Sequence, residues 1–109
     1  MDKIMVVVKN VGEPAEIKYI ENTLQAKQSI VGGYIELVML AVNNRGYDMI
    51  INEEGKIVGL EPNIHFFDDY IAGNLLVCNH NDEGEFTSLT EEEAKEIAIA
   101  LNEIEIKTN

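Results

Sequence analysis

Cys78, His80 and Asp82 alternate along "LLVCNHND", and on one continuous strand a thiol, an imidazole and a carboxylate would face the same way, as metal ligands can. The set is one ligand short. His65 is the only other histidine, and nothing in the sequence brings it near Cys78. The expectation is therefore that the protein holds no metal and no cofactor, with Cys78 a small buried residue at the end of an apolar strand. A thiol nucleophile would also need a base and a group to orient it, and neither is evident. A second cluster sets Asp68 and Asp69 among Phe66, Phe67 and Tyr70, joining charge to aromatic area in one segment. Anchoring one or two rings in the core is the plainer account of it. If Asn63, His65, Tyr70 and Asn74 converge around that segment, they form a small polar pocket able to hold a nucleotide-like molecule. Asparagines in loops more often tie down their own backbone, and a pocket for an anionic nucleotide usually wants more positive charge than this chain offers.

The chain of 109 residues carries a formal net charge of -12 and is 46% hydrophobic, a composition that suits one domain spanning 1–109 with a modest core. Residues 1–51 hold six acidic and five basic residues, whereas residues 52–109 hold fourteen and three. Phosphate backbones and anionic membranes repel such a surface, so direct nucleic-acid or membrane binding is not expected. One cysteine forms no internal disulfide, and no apolar run approaches a membrane span, which points to a reducing, cytoplasmic setting.

The elements that would position these residues follow from apolar spacing and punctuation. "KIMVVVK" reads as a first strand, closed by the turn cluster "NVGEP", and "AEIKYIE" as the returning arm. Asn22 or Thr23 can cap a short helix over "LQAKQSIV". Gly32 and Gly33 follow it, the first as a left-handed cap and the second where the chain reverses; their spacing is not that of a phosphate loop. "YIELVML", "YDMIIN" and "KIVG" read as a meander, with positive backbone angles expected at Asn43, Asn44, Gly46 and Gly55. "IHFFDDYIAGN" reads as irregular, "NLLVCNH" as a strand and "FTSL" as a short one. Thr90 and Glu93 make a capping box for a helix over Thr90–Ile104 whose stripe Ala94, Ile97, Ala98, Leu101 and Ile104 should face the sheet. The expected fold is α+β: a mostly antiparallel sheet of five to seven strands, a short helix after strand two, and a C-terminal helix packed on one face.

On the opposite side of that last helix Ile99 sits among Glu92, Glu96 and Glu103, near the turn acids Asp82, Glu83 and Glu85. A solvated face is the plain reading. The sharper one is a non-enzymatic protein whose acidic surface receives a host protein with a cationic surface, while exposed strand edges could pair two copies into a homodimer.

"VGGYIELV", "NEEGKIVGLEPN", "DDYIAGN" and "GEFTSLTEEE", in that order, resemble the family called domain of unknown function 3846, small proteins of phages, plasmids and their hosts. Typical members carry an arginine after the asparagine matched by Asn63, where this chain has Ile64. The resemblance implies an accessory role on a mobile element, such as an anti-defence or anti-restriction factor or a mimic of nucleic acid. The alternative is a protein that sequesters a small nucleotide signal.

Overall fold

Apolar residues occur at nearly every position of the first and seventh strands, a pattern that requires cover on both faces of a sheet rather than one. The computed structural model, which describes residues 2–107, provides that cover. Strands β1 (Lys3–Lys9), β2 (Glu16–Glu21), β3 (Ile35–Val42), β4 (Arg45–Asn52) and β7 (Leu75–His80) form an antiparallel sheet in the order β2-β1-β7-β4-β3, with β8 (Phe86–Thr87) added to the end of β7. Helix α1 (Leu24–Val31) lies on one face and α2 (Glu91–Glu103) on the other. The remaining strands, β5 (Pro62–Phe66) and β6 (Asp69–Ala72), make a separate hairpin on the α2 side. The fold class is thus α+β as expected, with the short helix after strand two.

Alternation sorts the side chains. Met5, Val7, Met49, Leu75 and Val77 point to the α2 side and meet Ala94, Ile97 and Leu101, together with Ile64 and Ile71 of the hairpin. Ile4, Val6, Val8, Ile50, Leu76 and Cys78 point the other way, onto Val31 and Ile30 of α1. Both helices start as their sequences dictate. The Thr23 side chain accepts from the Ala26 N–H, and Thr90 and Glu93 satisfy each other's backbone N–H groups in a complete capping box. Among the described residues no helix is long and apolar enough to cross a membrane.

Gly32 ends α1 at φ +80°, and its N–H donates to the Gln28 carbonyl. Gly32→Val should therefore lower stability by about 1–2 kcal/mol, because a β-branched residue is poorly tolerated in left-handed geometry. A chemical-denaturation midpoint equal to wild type would refute the cap. Gly33 serves close approach instead, since a Cβ there would sit 2.8 Å from Nδ2 of Asn52.

Several local expectations need correction. "KIVG" is not a strand: residues 53–59 form turns, fixed by bonds from the Val58 N–H to the Glu54 carbonyl and from the Leu60 N–H to the Gly55 carbonyl, and leave Ile57 and Val58 exposed. Gly55 is not among the positive-φ residues; a Cβ there would lie 2.8 Å from the Ala72 carbonyl oxygen, so the glycine lets the turn press against β6. Gly46 likewise lies outside the turn, which consists of Asn43 and Asn44 at φ 50° and 67°, and Arg45 is already the first residue of β4. The segment read as irregular is the β5–β6 hairpin, turning at Phe67 and Asp68 with Phe67 at φ 55°.

Candidate functional site

Asn63, with no exposed surface, hangs the β5–β6 hairpin from the rest of the protein. Its Nδ2 donates to the Lys9 and Gly73 carbonyls, both at 2.8 Å, and its Oδ1 accepts from Lys9 Nζ at 3.1 Å. That ammonium, equally buried, also reaches the Asn10 carbonyl and Oε1 of Glu105 at 2.9 Å. The chain beyond α2 completes the attachment: Glu105 bridges Ile64, the His65 N–H donates to the Ile104 carbonyl, and the Ile106 N–H to that of Asn63. A polar side chain whose donors and acceptor are all engaged internally has nothing left for a ligand. Asn74 is similarly occupied in part, its Oδ1 accepting from the Val11 N–H.

The four residues expected to converge do not share one cavity. His65 and Tyr70 are cross-strand partners on the hairpin, but His65 borders a groove beside β3, Tyr70 a hollow under the β4–β5 turn, and Asn74 a third depression near Val11 and Leu60. Nor does the alternating Cys78, His80 and Asp82 set assemble. Strand β7 stops at His80, Asp82 lies in the following turn, and Cys78 is fully buried with burial pushing its thiol up to about 12. His80 Nδ1 lies 3.2 Å from Asp48 Oδ1 instead. Among the described residues no three metal-ligating side chains group together.

The hollow at Tyr70 is the concave site with the most suitable chemistry. About 390 Å³ in volume, it has a floor of Val38, Ile51, Ile71 and Ala72, aromatic sides from Phe66 and Tyr70, and a rim of Glu36, Glu53, Glu54 and Asp69. Position follows from local causes: Glu53 and Glu54 open the turn, and the Asn52 side chain orders it by accepting from the Glu54 N–H while donating to the Val31 carbonyl. Lys56 leans across the opening. Its Nζ lies 4.5 Å from the centre of the Tyr70 ring and bonds Oδ2 of Asp69. The Lys56 bond, reinforced by the Tyr70 N–H, holds the Asp69 carboxyl below its usual range. An ammonium between an aromatic face and a carboxylate is the arrangement by which proteins recognise cationic side chains.

The acids singled out on α2 form a convex surface. Glu92, Glu103 and Ile99 are exposed, Glu96 is half-buried, and Lys95 already pairs with Glu91 one turn away. Asp82, Glu83 and Glu85 lie in a turn whose backbone is held by Asn81 Oδ1, which accepts from the Glu83 and Glu85 N–H groups. A different carboxylate on α2 is buried. Glu93 accepts from the Thr90 N–H, lies 3.3 Å from the Tyr47 hydroxyl and 3.6 Å from Nη1 of Arg45, and accepts from the Asn79 amide at 3.5 Å. Burial and then the Glu93 charge raise the Tyr47 hydroxyl above its ordinary range, so it stays a neutral donor. The cluster clamps the start of α2 to β4 and β7, and the capping box was its only sign in the sequence.

Sequence reasoning missed the hollow because its parts come from four separate segments. The signal that was present is the sequence "NEEGK" beside "FFDDY", two acidic pairs each next to a group that can shape a turn or a wall.

No curated protein and no solved structure shows significant similarity to the chain. A family model described as domain of unknown function (DUF3846) matches residues 2–102, a span that takes in the sheet, the hairpin and nearly all of α2. On that near-complete match the chain belongs to the DUF3846 family.

Proposed function

We propose that the protein is a non-enzymatic accessory protein of a mobile element that binds a host protein by receiving one of its cationic side chains in the hollow beside Tyr70. The observation that carries this reading is Lys56, a cation of the protein itself seated on the Tyr70 ring and Asp69 at the mouth of an acid-rimmed apolar cleft. An incoming lysine or arginine would find the same aromatic face, three further carboxylates at Glu36, Glu53 and Glu54, and apolar floor for its methylene stem. The acidic excess beyond residue 51 supports the reading from a distance, because a field of one sign speeds encounter with a basic partner and weakens as salt rises. A concave cleft also orients a partner more closely than the convex outer face of α2. The mobile-element setting and any anti-defence role rest on the family resemblance alone.

Monovalent probes test the cleft without requiring the partner. N-acetyl-arginine amide should shift the amide resonances of residues 53–57 and 69–72 saturably, and uncharged N-acetyl-norleucine amide should not. Tyr70→Ala should abolish the effect, and Lys56→Ala, by vacating the aromatic face, should tighten binding. Shifts confined to Glu92, Glu96, Glu103 and the turn acids would move the partner surface to α2. Saturable shifts caused equally by the neutral probe would refute recognition of a cation.

A further inference from the structure

We infer that β3 is a dimerisation edge, at which two copies of this chain pair antiparallel about a two-fold axis through Met39. The inference does not rest on the proposed cleft, although Glu36, Val38 and Phe66 border both the cleft and this edge. Strands β2 and β3 are the two edges of the sheet, and they differ in guard. β2, "EIKYIE", places three charges in six residues along its edge, the usual protection against pairing with another chain. β3, "IELVMLAV", has one charge, Glu36, in eight residues. Leu37 and Met39 are 53% and 70% exposed.

The phase of the backbone shows which groups are free. The two-residue turn Asn43–Asn44 makes Val42 and Arg45 a hydrogen-bonded pair, so Val42, Leu40, Val38 and Glu36 direct their N–H and C=O groups inward to β4. The bond from the Glu53 N–H to the Tyr34 carbonyl continues the same phase. Ile35, Leu37, Met39 and Ala41 therefore direct theirs outward, and among the described residues no other element accepts from or donates to them.

A second β3 fits this edge better than a foreign cationic segment would. With Met39 opposite Met39 of the second copy, Leu37 meets Ala41 and Val38 meets Leu40, each twice, while Glu36 meets Val42 and no like charges oppose each other. Every outward donor–acceptor pair at Leu37, Met39 and Ala41 is answered in that register. A basic segment would find a single carboxylate along the whole edge. Above β3 a groove of about 640 Å³, walled by Phe66 and by Phe67 at the hairpin tip, offers the incoming Val38 and Leu40 an apolar seat. Phe67 is otherwise 90% exposed. The pairing strand itself carries a single charge, Glu36, so little of the net charge of -12 lies on the edge that meets its copy.

Analytical ultracentrifugation of the full chain should give twice the 12.2 kDa chain mass, falling by half in Met39→Lys, which sets two ammonium groups face to face on the axis. Met39 being exposed, the thermal midpoint should hardly fall beyond what loss of the dimer explains. Met39→Cys supplies a second readout that survives any folding defect of the lysine variant. Mild oxidation should link two copies through it, whereas Leu24→Cys, exposed on α1, should stay unlinked. A monomer at the highest soluble concentration overturns the inference. So does a dimer that persists in Met39→Lys, or equal linking through Leu24→Cys.

Discussion

Asn63→Leu is expected to cost about 3–5 kcal/mol, the loss typical when one member of a buried charged network is removed. The substitution deletes three hydrogen bonds at once and sets apolar atoms against the Lys9 ammonium, which has no surface through which to recruit water. The Lys9 and Gly73 carbonyls lose their donor as well. Against a total stability on the order of 5–15 kcal/mol, such a loss leaves a small margin. Urea denaturation followed by circular dichroism measures it. Adding Lys9→Met should restore part of the stability, since two apolar groups side by side cost less than a buried ammonium that has lost one of its oxygen partners, but not all of it, because Glu105 loses its cation and the two carbonyls remain unanswered. An Asn63→Leu protein within about 1 kcal/mol of wild type would show that the hairpin hangs by something else.

Ile97→Ala is the second large effect, about 2–5 kcal/mol, from lost transfer energy and the cavity left in a close-packed core. Ile97 is fully buried in the cluster that joins α2 to Val7, Met49 and Val77. Its near neighbour Ile99 supplies the control. At 62% exposure it should accept alanine within about 0.5 kcal/mol. Equal losses at the two positions in parallel melts would mean that α2 is rotated from the orientation described.

The two positions also show what the sequence could express. Helix α2 was legible to within a residue or two because capping box and apolar stripe agree. The five long strands of the sheet were legible for a similar reason, their turns being written in asparagine and glycine. What was not legible depends on contacts far apart in the chain. "KIVG" has strand-like composition, but Asn52 and the approach of Gly55 to Ala72 wind it into turns. The β5–β6 hairpin was hidden because only Ile64, Phe66 and Ile71 carry its inward pattern, while Pro62, Asp68 and Asp69 read as loop. Burial of Lys9 and Lys27 has no local signature at all. Lys27 lies against the Phe86 ring and bonds Asn22 Oδ1, and burial lowers its ammonium below the usual lysine range. The polar pocket expected around Asn63 and Asn74 does not form on the same ground: the two are close in sequence, yet one answers Lys9 at the end of β1 and the other Val11 in the turn that follows. The hollow that took its place needs β3, the β4–β5 turn and the hairpin together.

The order of the strands bears on how the protein is made. β1 is synthesised first but lies between β2 and β7, so its second partner is absent until residues 75–77 have left the ribosome. Until then only the β1–β2, β3–β4 and β5–β6 ribbons can form, and two-stranded ribbons in water are marginal by themselves. A nascent chain must therefore carry β4 with one side unpaired, and β3 with an outer edge that the finished fold never covers, for the seconds that elongation takes. Two chains emerging side by side on one messenger would meet at that edge before either sheet is closed.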